Sequence, residues 1–244
     1  MLFTKNFQQL QTEVSAHVAA DRVKQGSYKT CFIGCLARAK DSPEFLEGEY
    51  GIPLAVSRIA DSIFEGLHPG EAPLFFAAFP SAVESDGKDL SRVVWQFLAA
   101  ELRSLPAVEP ENQAIIDTVI TGIDLLAQGN EWSEEDASAA AYAAARAAVK
   151  AAEAAAVMTG VRAARFGTAC AVADAASAAD LVARDYLAAE LAARAADRVA
   201  SAAELAASDF DYLAAELATR RRQRDLLLKL IKEAPITQQE NNNG

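Results

Sequence analysis

Proline is absent from residues 111–234, and this absence constrains the fold of the 244-residue chain more than any other feature. Seven of the eight prolines lie in residues 43–110, and the eighth is Pro235. Within the proline-free stretch, 38 of the 83 residues in 137–219 are alanine. Proline breaks helices, whereas alanine has the highest helix propensity of all residues. The second half of the chain is therefore predicted to be helical almost throughout.

Alanines in this half recur at alternating spacings of three and four, as at Ala140, Ala144, Ala147 and Ala151. That spacing places them on one face of a helix, and small side chains let two helix axes approach closely. We therefore predict an all-α fold in which residues 131–234 form an alanine-rich antiparallel bundle of three or four helices. An extended stalk or an intermolecular coiled coil is the alternative.

Local signals mark the ends of these helices. Ser133 precedes three consecutive acids, which is typical of an N-cap followed by residues that the helix dipole favours. Residues 235–244 form a tail whose polar end is predicted to be disordered. Breaks in the helical half are predicted at Thr159-Gly160, Phe166-Gly167-Thr168 and Ser208-Asp209.

Residues 1–130 are predicted to form a head domain of five or six short helices. Apolar side chains recur there at helical spacing, and no segment alternates with a period of two for long, so almost no sheet is expected. A proline at the first helical position marks one start, at Pro53. The predicted ranges are 7–23, 30–39, 53–67, 73–79, 91–105 and 110–127.

The formal net charge is −11, and both halves of the chain are acidic. Phosphate backbones would repel such a chain at long range, so we expect no nucleic-acid partner and favour a basic or amphiphilic polypeptide. The longest uncharged segment, 72–83, has 12 residues, which is fewer than the roughly 20 that span a bilayer. No membrane span is expected. Irregularly spaced cysteines and the lack of a secretory signal predict a cytoplasmic location.

Few residues of this chain are suited to catalysis or metal binding. Cys31 and Cys35 form a C-x3-C pair, but zinc needs two further ligands, and the two histidines and Cys170 stand at no recognised spacing. We interpret the pair as buried structural cysteines and expect no metal or cofactor. Asp61 and Glu65 lie one helical turn apart beside Arg58, which is more typical of a salt-bridge set than of an acid–base pair. No catalytic residue is assigned.

The one basic patch is a candidate partner-binding surface. It consists of Arg220, Arg221, Arg222 and Arg224. A solvated face, partly neutralised by neighbouring acids, is the alternative interpretation. The apolar run that follows, 226–231, is an alternative contact that would dock on the N-terminal half and close the fold.

Several motifs of the first half resemble those of uncharacterised proteins of bacteria and their prophages. They are Cys31-Phe32-Ile33-Gly34-Cys35, Tyr50-Gly51-Ile52-Pro53, the run Arg58 to Leu67, and Asp89-Leu90-Ser91 before Val94-Trp95. Those proteins also pair a short-helix head with an alanine-rich helical tail. A histidine commonly follows their second cysteine, and this chain has Arg38 near that place. The composition is also similar to that of alanine-rich immunity proteins of bacterial toxin systems.

These observations predict a protein that acts by binding another protein. The resemblances imply a phage- or defence-related inhibitor, or a toxin-immunity protein, that occludes its partner with a helical surface. A few aromatic or arginine anchors would supply most of the affinity. One alternative is a structural protein that self-associates as a homo-oligomer through its alanine-rich helices. The other is an enzyme of unknown type that uses Cys31, Cys35 and the region 58–65.

Overall fold

The computed structural model describes residues 3–27, 29–37, 44–105, 110–155, 170–178, 191, 194–195, 197–198 and 212–237. The protein is all-helical, as the sequence predicts, and the described residues contain two isolated β-bridges but no strand. Residues 170–178 are helical, and so are the described residues 191, 194–195 and 197–198. The other helices are α1 (Phe7–Ala19), α2 (Phe32–Leu36), α3 (Glu44–Tyr50), α4 (Leu54–Gly66), α5 (Ala72–Val83), α6 (Val93–Arg103), α7 (Pro110–Gln128), α8 (Glu134–Ala155) and α9 (Tyr212–Glu233).

The helices of the first half follow the predicted ranges with three main differences. Helix α1 ends at Ala19, four residues before its predicted end, and Asp21 beyond it has a positive φ of 50°. Helix α3 is not predicted, because it has only seven residues, with Gly48 in its middle, and depends on the burial of Leu46 and Tyr50. Helix α5 continues beyond its predicted end at Phe79 and contains Pro80. A proline inside a helix costs about 3 kcal/mol, and the burial of the surrounding apolar residues offsets that cost.

The core of the first half is built around Phe32, although α2 itself is a helix of five residues. The ring of Phe32 is fully buried and lies 4.9–6.5 Å, centroid to centroid, from the rings of Phe64, Phe75, Phe76 and Phe79. Aromatic side chains bury large apolar areas, and the one stacked pair, with Phe75, and the three edge-to-face pairs add further stabilisation. Helices α2, α4 and α5 are therefore held together by one aromatic cluster.

The turn between α7 and α8 produces a helical hairpin. Gly129 ends α7 with a positive φ of 83°, a conformation that favours glycine. The Ser133 hydroxyl accepts the backbone N–H of Asp136 at 3.1 Å, so the predicted N-cap is confirmed. Ala137, Ala140 and Ala144 are buried, and their spacing places them on one side of α8.

Helix α9 packs against α4, α5 and α6, with Leu227 and Ile231 fully buried. The predicted alternative, in which the apolar run 226–231 docks on the first half of the chain, is thus what the structure shows. One cluster of buried residues has members from both 1–130 and 131–234. The domain boundary at residue 130 stays a prediction, and the predicted helix breaks and the tail beyond residue 237 lie outside the described residues.

Lys88 joins the C-terminal ends of α5 and α9. Its side chain is 1% exposed, and Nζ donates to the carbonyl oxygens of Ala82, Ile231 and Lys232 at 2.7–3.2 Å. It also donates to the Glu84 carboxylate at 3.2 Å. The last carbonyls of a helix have no partner within the helix, so this ammonium group satisfies two helix ends at once. None of the described helices has the length and apolar character that crossing a membrane requires.

Candidate functional site

The arginines of the predicted partner-binding patch lie on α9 and are paired with carboxylates of the same chain. Arg222 donates to both oxygens of Glu101 on α6, at 2.7 and 2.9 Å. The amide of Gln223 donates to the same carboxylate at 2.8 Å, and the Glu101 side chain is only 1% exposed. Two parallel N–H···O bonds to one carboxylate form a strong and directional contact. The central arginine of the patch therefore fixes α9 to α6.

The other three arginines of the patch also have partners. Arg221 pairs with Glu71, Arg224 with its neighbour Asp225, and the buried Arg220 with Asp197 at 2.9 Å. The guanidinium group beside Glu71 lowers the pKa of that carboxyl through their hydrogen bonds. These pairs account for the conformation of the patch within the folded chain. Its role in partner binding stays a prediction.

Cys31, Asp61 and Glu65 form a compact cluster between α2 and α4. One donor atom from each lies within 4.8 Å of the others. Asp61 accepts the backbone N–H of Ile33 at 3.2 Å, and Glu65 accepts that of Gly26 at 2.8 Å. The carboxylates thus fix the start of α2 and the preceding loop to α4.

Burial governs the acid–base properties of this cluster. Desolvation, followed by the charge of Asp61, raises the pKa of the Cys31 thiol to about 12. Desolvation also raises the pKa of both carboxyls. Because the thiolate is the reactive form of cysteine, the protonated Cys31 is a poor nucleophile at neutral pH. Cys35 is directed elsewhere, since its Sγ donates to the Thr30 carbonyl at 3.4 Å. The C-x3-C pair therefore does not provide two ligands of one site.

An open groove of about 650 Å³ runs between α7 and α8. On α7 it is lined by Ile115, Thr118, Gly122 and Leu125, whose spacings of three and four place them in one stripe. On α8 small residues face them, including Ala139. The groove lining on α7 extends over about ten residues, or roughly 15 Å at 1.5 Å per residue.

Trp132 forms one end of this groove, in the turn between the two helices. Its indole ring lies directly over Gly122, where an added Cβ would overlap the ring. Gly122 is therefore the residue that lets the indole pack flat against α7. This contact is not predicted from the sequence. The missed signal is the stripe at 115, 118, 122 and 125, in which a threonine and a glycine stand between two apolar residues.

Acidic residues predominate in the segment that forms the groove. Residues 110–147 contain seven acidic side chains and a single basic one, Arg146. Asp136 lines the groove itself, and Glu111 lies one turn before Ile115 on the same side of α7. Tyr142, three residues after Ala139, is 67% exposed. The groove thus has an apolar floor and an exposed aromatic neighbour, and it lies in an acidic segment of the chain.

The comparisons with known proteins add no relative to this description. Neither family models, nor curated proteins, nor solved structures match the chain. The resemblance to bacterial and prophage proteins stays a prediction, and the proposals below depend on the geometry of the described residues.

Proposed function

We propose that the protein binds another protein by receiving an amphipathic helix with basic flanks in the groove between α7 and α8. The observation that carries this proposal is an apolar groove between two helices within a strongly acidic segment. Helix-in-groove recognition needs such a trough for anchors at i, i+3 or i+4, and i+7. Occluding the surface of that partner is the action that we propose, as an inhibitor or an immunity protein would act.

The shape of the groove supports a helical partner. Alanines on α8 leave room beside α7, so that a third helix would fill the space between them. The partner's apolar side chains would contact Ile115, Leu125 and the indole of Trp132. Aromatic residues near the centre of an interface often supply a large share of the binding energy. Tyr142, whose ring centroid lies 5.8 Å from the Arg146 guanidinium, is an exposed aromatic residue beside the groove.

The charge around the groove supports a cationic partner. Asp136 lies at the turn end of the groove, and Glu111 lies toward the opposite end of α7. Lysine or arginine residues near both ends of a bound helix would meet these carboxylates. Complementary charge accelerates association and selects among partners. The same negative charge disfavours self-association through this face, because a two-fold contact would bring two copies of the acidic surface together.

The test compares two substitutions of exposed alanines on α8. Ala139→Arg places a long cationic side chain in the groove, whereas Ala145→Arg places the same charge outside the groove lining. The probes are a Leu/Lys amphipathic helical peptide and its Leu/Glu counterpart. Binding is followed by the fluorescence of Trp132, with Trp95 present in both variants.

We expect the Leu/Lys peptide to bind the parent protein, and to bind Ala145→Arg with a Kd within about twofold of the parent value. Ala139→Arg should bind at least about tenfold more weakly, which corresponds to about 1.4 kcal/mol. Equal binding by the two variants, or a preference for the Leu/Glu peptide, would overturn the proposal. A partner captured from lysate by a photo-crosslinker at residue 118 would support it only if the purified partner shows the same difference between the variants.

A further inference from the structure

A second cavity, which shares no lining residue with the groove, lies where α1 ends and α2 begins. It has a volume of about 460 Å³ and is open to solvent. Its lining comes from the end of α1, the loop that follows, and the first turn and a half of α2. The lining residues are His17, Asp21, Arg22, Lys24, Lys29, Thr30, Gly34 and Cys35.

Positive charge is concentrated at this cavity, although the chain as a whole carries a net charge of −11. Arg22, Lys24 and Lys29 contribute three cations to the lining, and Asp21 is the one carboxylate among its described residues. Asp21 lies 4.0 Å from Lys24, and both side chains are largely exposed, so that solvent weakens their pairing. The sequence from 22 to 40 contains five basic residues and no acidic residue.

The loop that carries these cations is held in place by hydrogen bonds. The backbone N–H of Lys24 donates to the carbonyl of Thr30 at 2.9 Å, and the Thr30 hydroxyl donates back to the carbonyl of Lys24 at 3.0 Å. The amide of Gln25 donates to the carbonyls of Phe64 and Leu67 at 2.6 and 2.7 Å. A loop that is fixed before binding loses little conformational entropy when a ligand arrives.

His17 forms one wall of the cavity. Burial, and next the positive charge of Arg22, lower the pKa of its imidazole. Its Nδ1 is buried, and a hydrogen bond with the backbone of Cys35 acts on the pKa in the opposite direction. An anion beside Arg22 would oppose the effect of the guanidinium charge, and the pKa of His17 would rise. His17 thus provides a spectroscopic reporter of the cavity.

We propose that this cavity binds a small phosphate monoester. Arginine and lysine are the side chains that proteins use to bind phosphate oxygens, through charge-assisted hydrogen bonds. The volume exceeds what a bare phosphate ion fills, and Gly34 and the largely buried Cys35 form an uncharged part of the lining, against which the organic part of a monoester would lie. A long polyanion is disfavoured, because the net negative charge of the chain repels it beyond this local patch.

To test this proposal, the protein is titrated with inorganic phosphate and with phenyl phosphate at constant ionic strength, with chloride as the reference anion. The readout is the proton NMR signal of His17 as a function of pH. His68, the other histidine of the chain, serves as the internal reference because it does not line the cavity. Arg22→Gln and Lys29→Gln each remove one cation from the lining, and Lys229→Gln removes an exposed cation from α9 as the matched control.

We expect phenyl phosphate to shift the titration of His17 to higher pH while that of His68 stays in place. Arg22→Gln and Lys29→Gln should each weaken binding by about tenfold, the effect of losing one charge-assisted hydrogen bond, and Lys229→Gln should leave it unchanged. Equal shifts of both histidines, or equal binding by all three variants, would show nonspecific ion binding and overturn the proposal. Tighter binding of inorganic phosphate than of phenyl phosphate would overturn the monoester assignment.

Discussion

Replacing Arg222 by methionine removes the cation that faces a carboxylate shielded from water. The Glu101 side chain is 1% exposed and would keep only the amide of Gln223 as a side-chain donor among its described contacts. Breaking a fully buried ion pair by removing one partner costs about 3–5 kcal/mol. Arg222 itself is 39% exposed, so solvent already screens part of the interaction and the lower end applies. We expect Arg222→Met to lower the free energy of unfolding by about 3 kcal/mol.

Substituting Glu101, the other partner of the ion pair, should lower the free energy of unfolding by less. Glu101→Gln keeps an acceptor oxygen of the same size, and the half-exposed guanidinium of Arg222 can turn toward water. We expect a loss of about 1–2 kcal/mol, the range for a hydrogen bond with one charged partner. Because the two residues act on one interaction, the double variant should lose less than the sum of the single losses.

The measurement is urea or thermal unfolding followed by far-UV circular dichroism. A loss of about 3 kcal/mol lowers the Tm of a chain of this size by roughly 6–12 °C. Arg221→Met is the matched control, because Arg221 pairs with the more exposed Glu71 on the same helix surface. We expect Arg221→Met to lower the Tm by much less than Arg222→Met does. The reasoning fails if Arg221→Met and Arg222→Met are equally destabilised, or if Glu101→Gln costs more than Arg222→Met.

Three further predictions concern the buried polar groups. Lys88→Met leaves three helix-end carbonyls without their donor and should lower the free energy of unfolding by about 3 kcal/mol, so an unchanged urea midpoint would contradict the role of Lys88. Burial raises the pKa of Asp61, and ionising it therefore costs stability as the pH rises through that raised value. Asp61→Asn, which keeps an acceptor for Ile33, should be more stable than the parent at neutral pH, with an advantage that shrinks toward pH 4; the opposite trend in urea midpoints would refute this. The three cysteines are buried, and burial raises the pKa of the Cys31 and Cys35 thiols to about 12 and 11. A disulfide reagent at about pH 8 should react with three thiols after denaturation and with none within minutes before it, and one fast native thiol would contradict the assignment.

The spacing of apolar residues and the residues typical of helix ends predict the helices wherever the signal is local. The apolar stripe of α4 follows a proline at the helix start, and Ser133 caps α8 as its sequence indicates. Where tertiary contacts decide, the sequence is insufficient. Helix α3 forms because Leu46 and Tyr50 become buried, and α5 passes through Pro80 because its phenylalanines face the aromatic cluster.

The candidate sites depend on contacts between distant parts of the sequence. Arg222 and Glu101 are 121 residues apart, so an arginine run that is typical of an exposed patch gives no indication of the buried carboxylate that it meets. The groove between α7 and α8 likewise depends on the seating of Trp132 over Gly122, which becomes apparent only when the hairpin is folded. The cysteine pair differs from these two sites. Composition alone led to its interpretation as structural, and burial in the folded chain favours the protonated thiols.

Intramolecular pairing determines which charges remain available to a partner. The arginines of α9 are engaged with carboxylates of α6, α9 and the region before α5, and with Asp197, so they are not positioned to neutralise the acids of α7 and α8. Of those acids, Asp124 is paired with Arg103, and Asp136 lines the apolar groove. Charge outside a groove acts mainly on the rate of encounter, whereas apolar contacts inside it act mainly on the rate of dissociation. The acidic residues of this segment would therefore govern the association rate of a cationic helix, and Ile115, Leu125 and Trp132 would govern its dissociation rate.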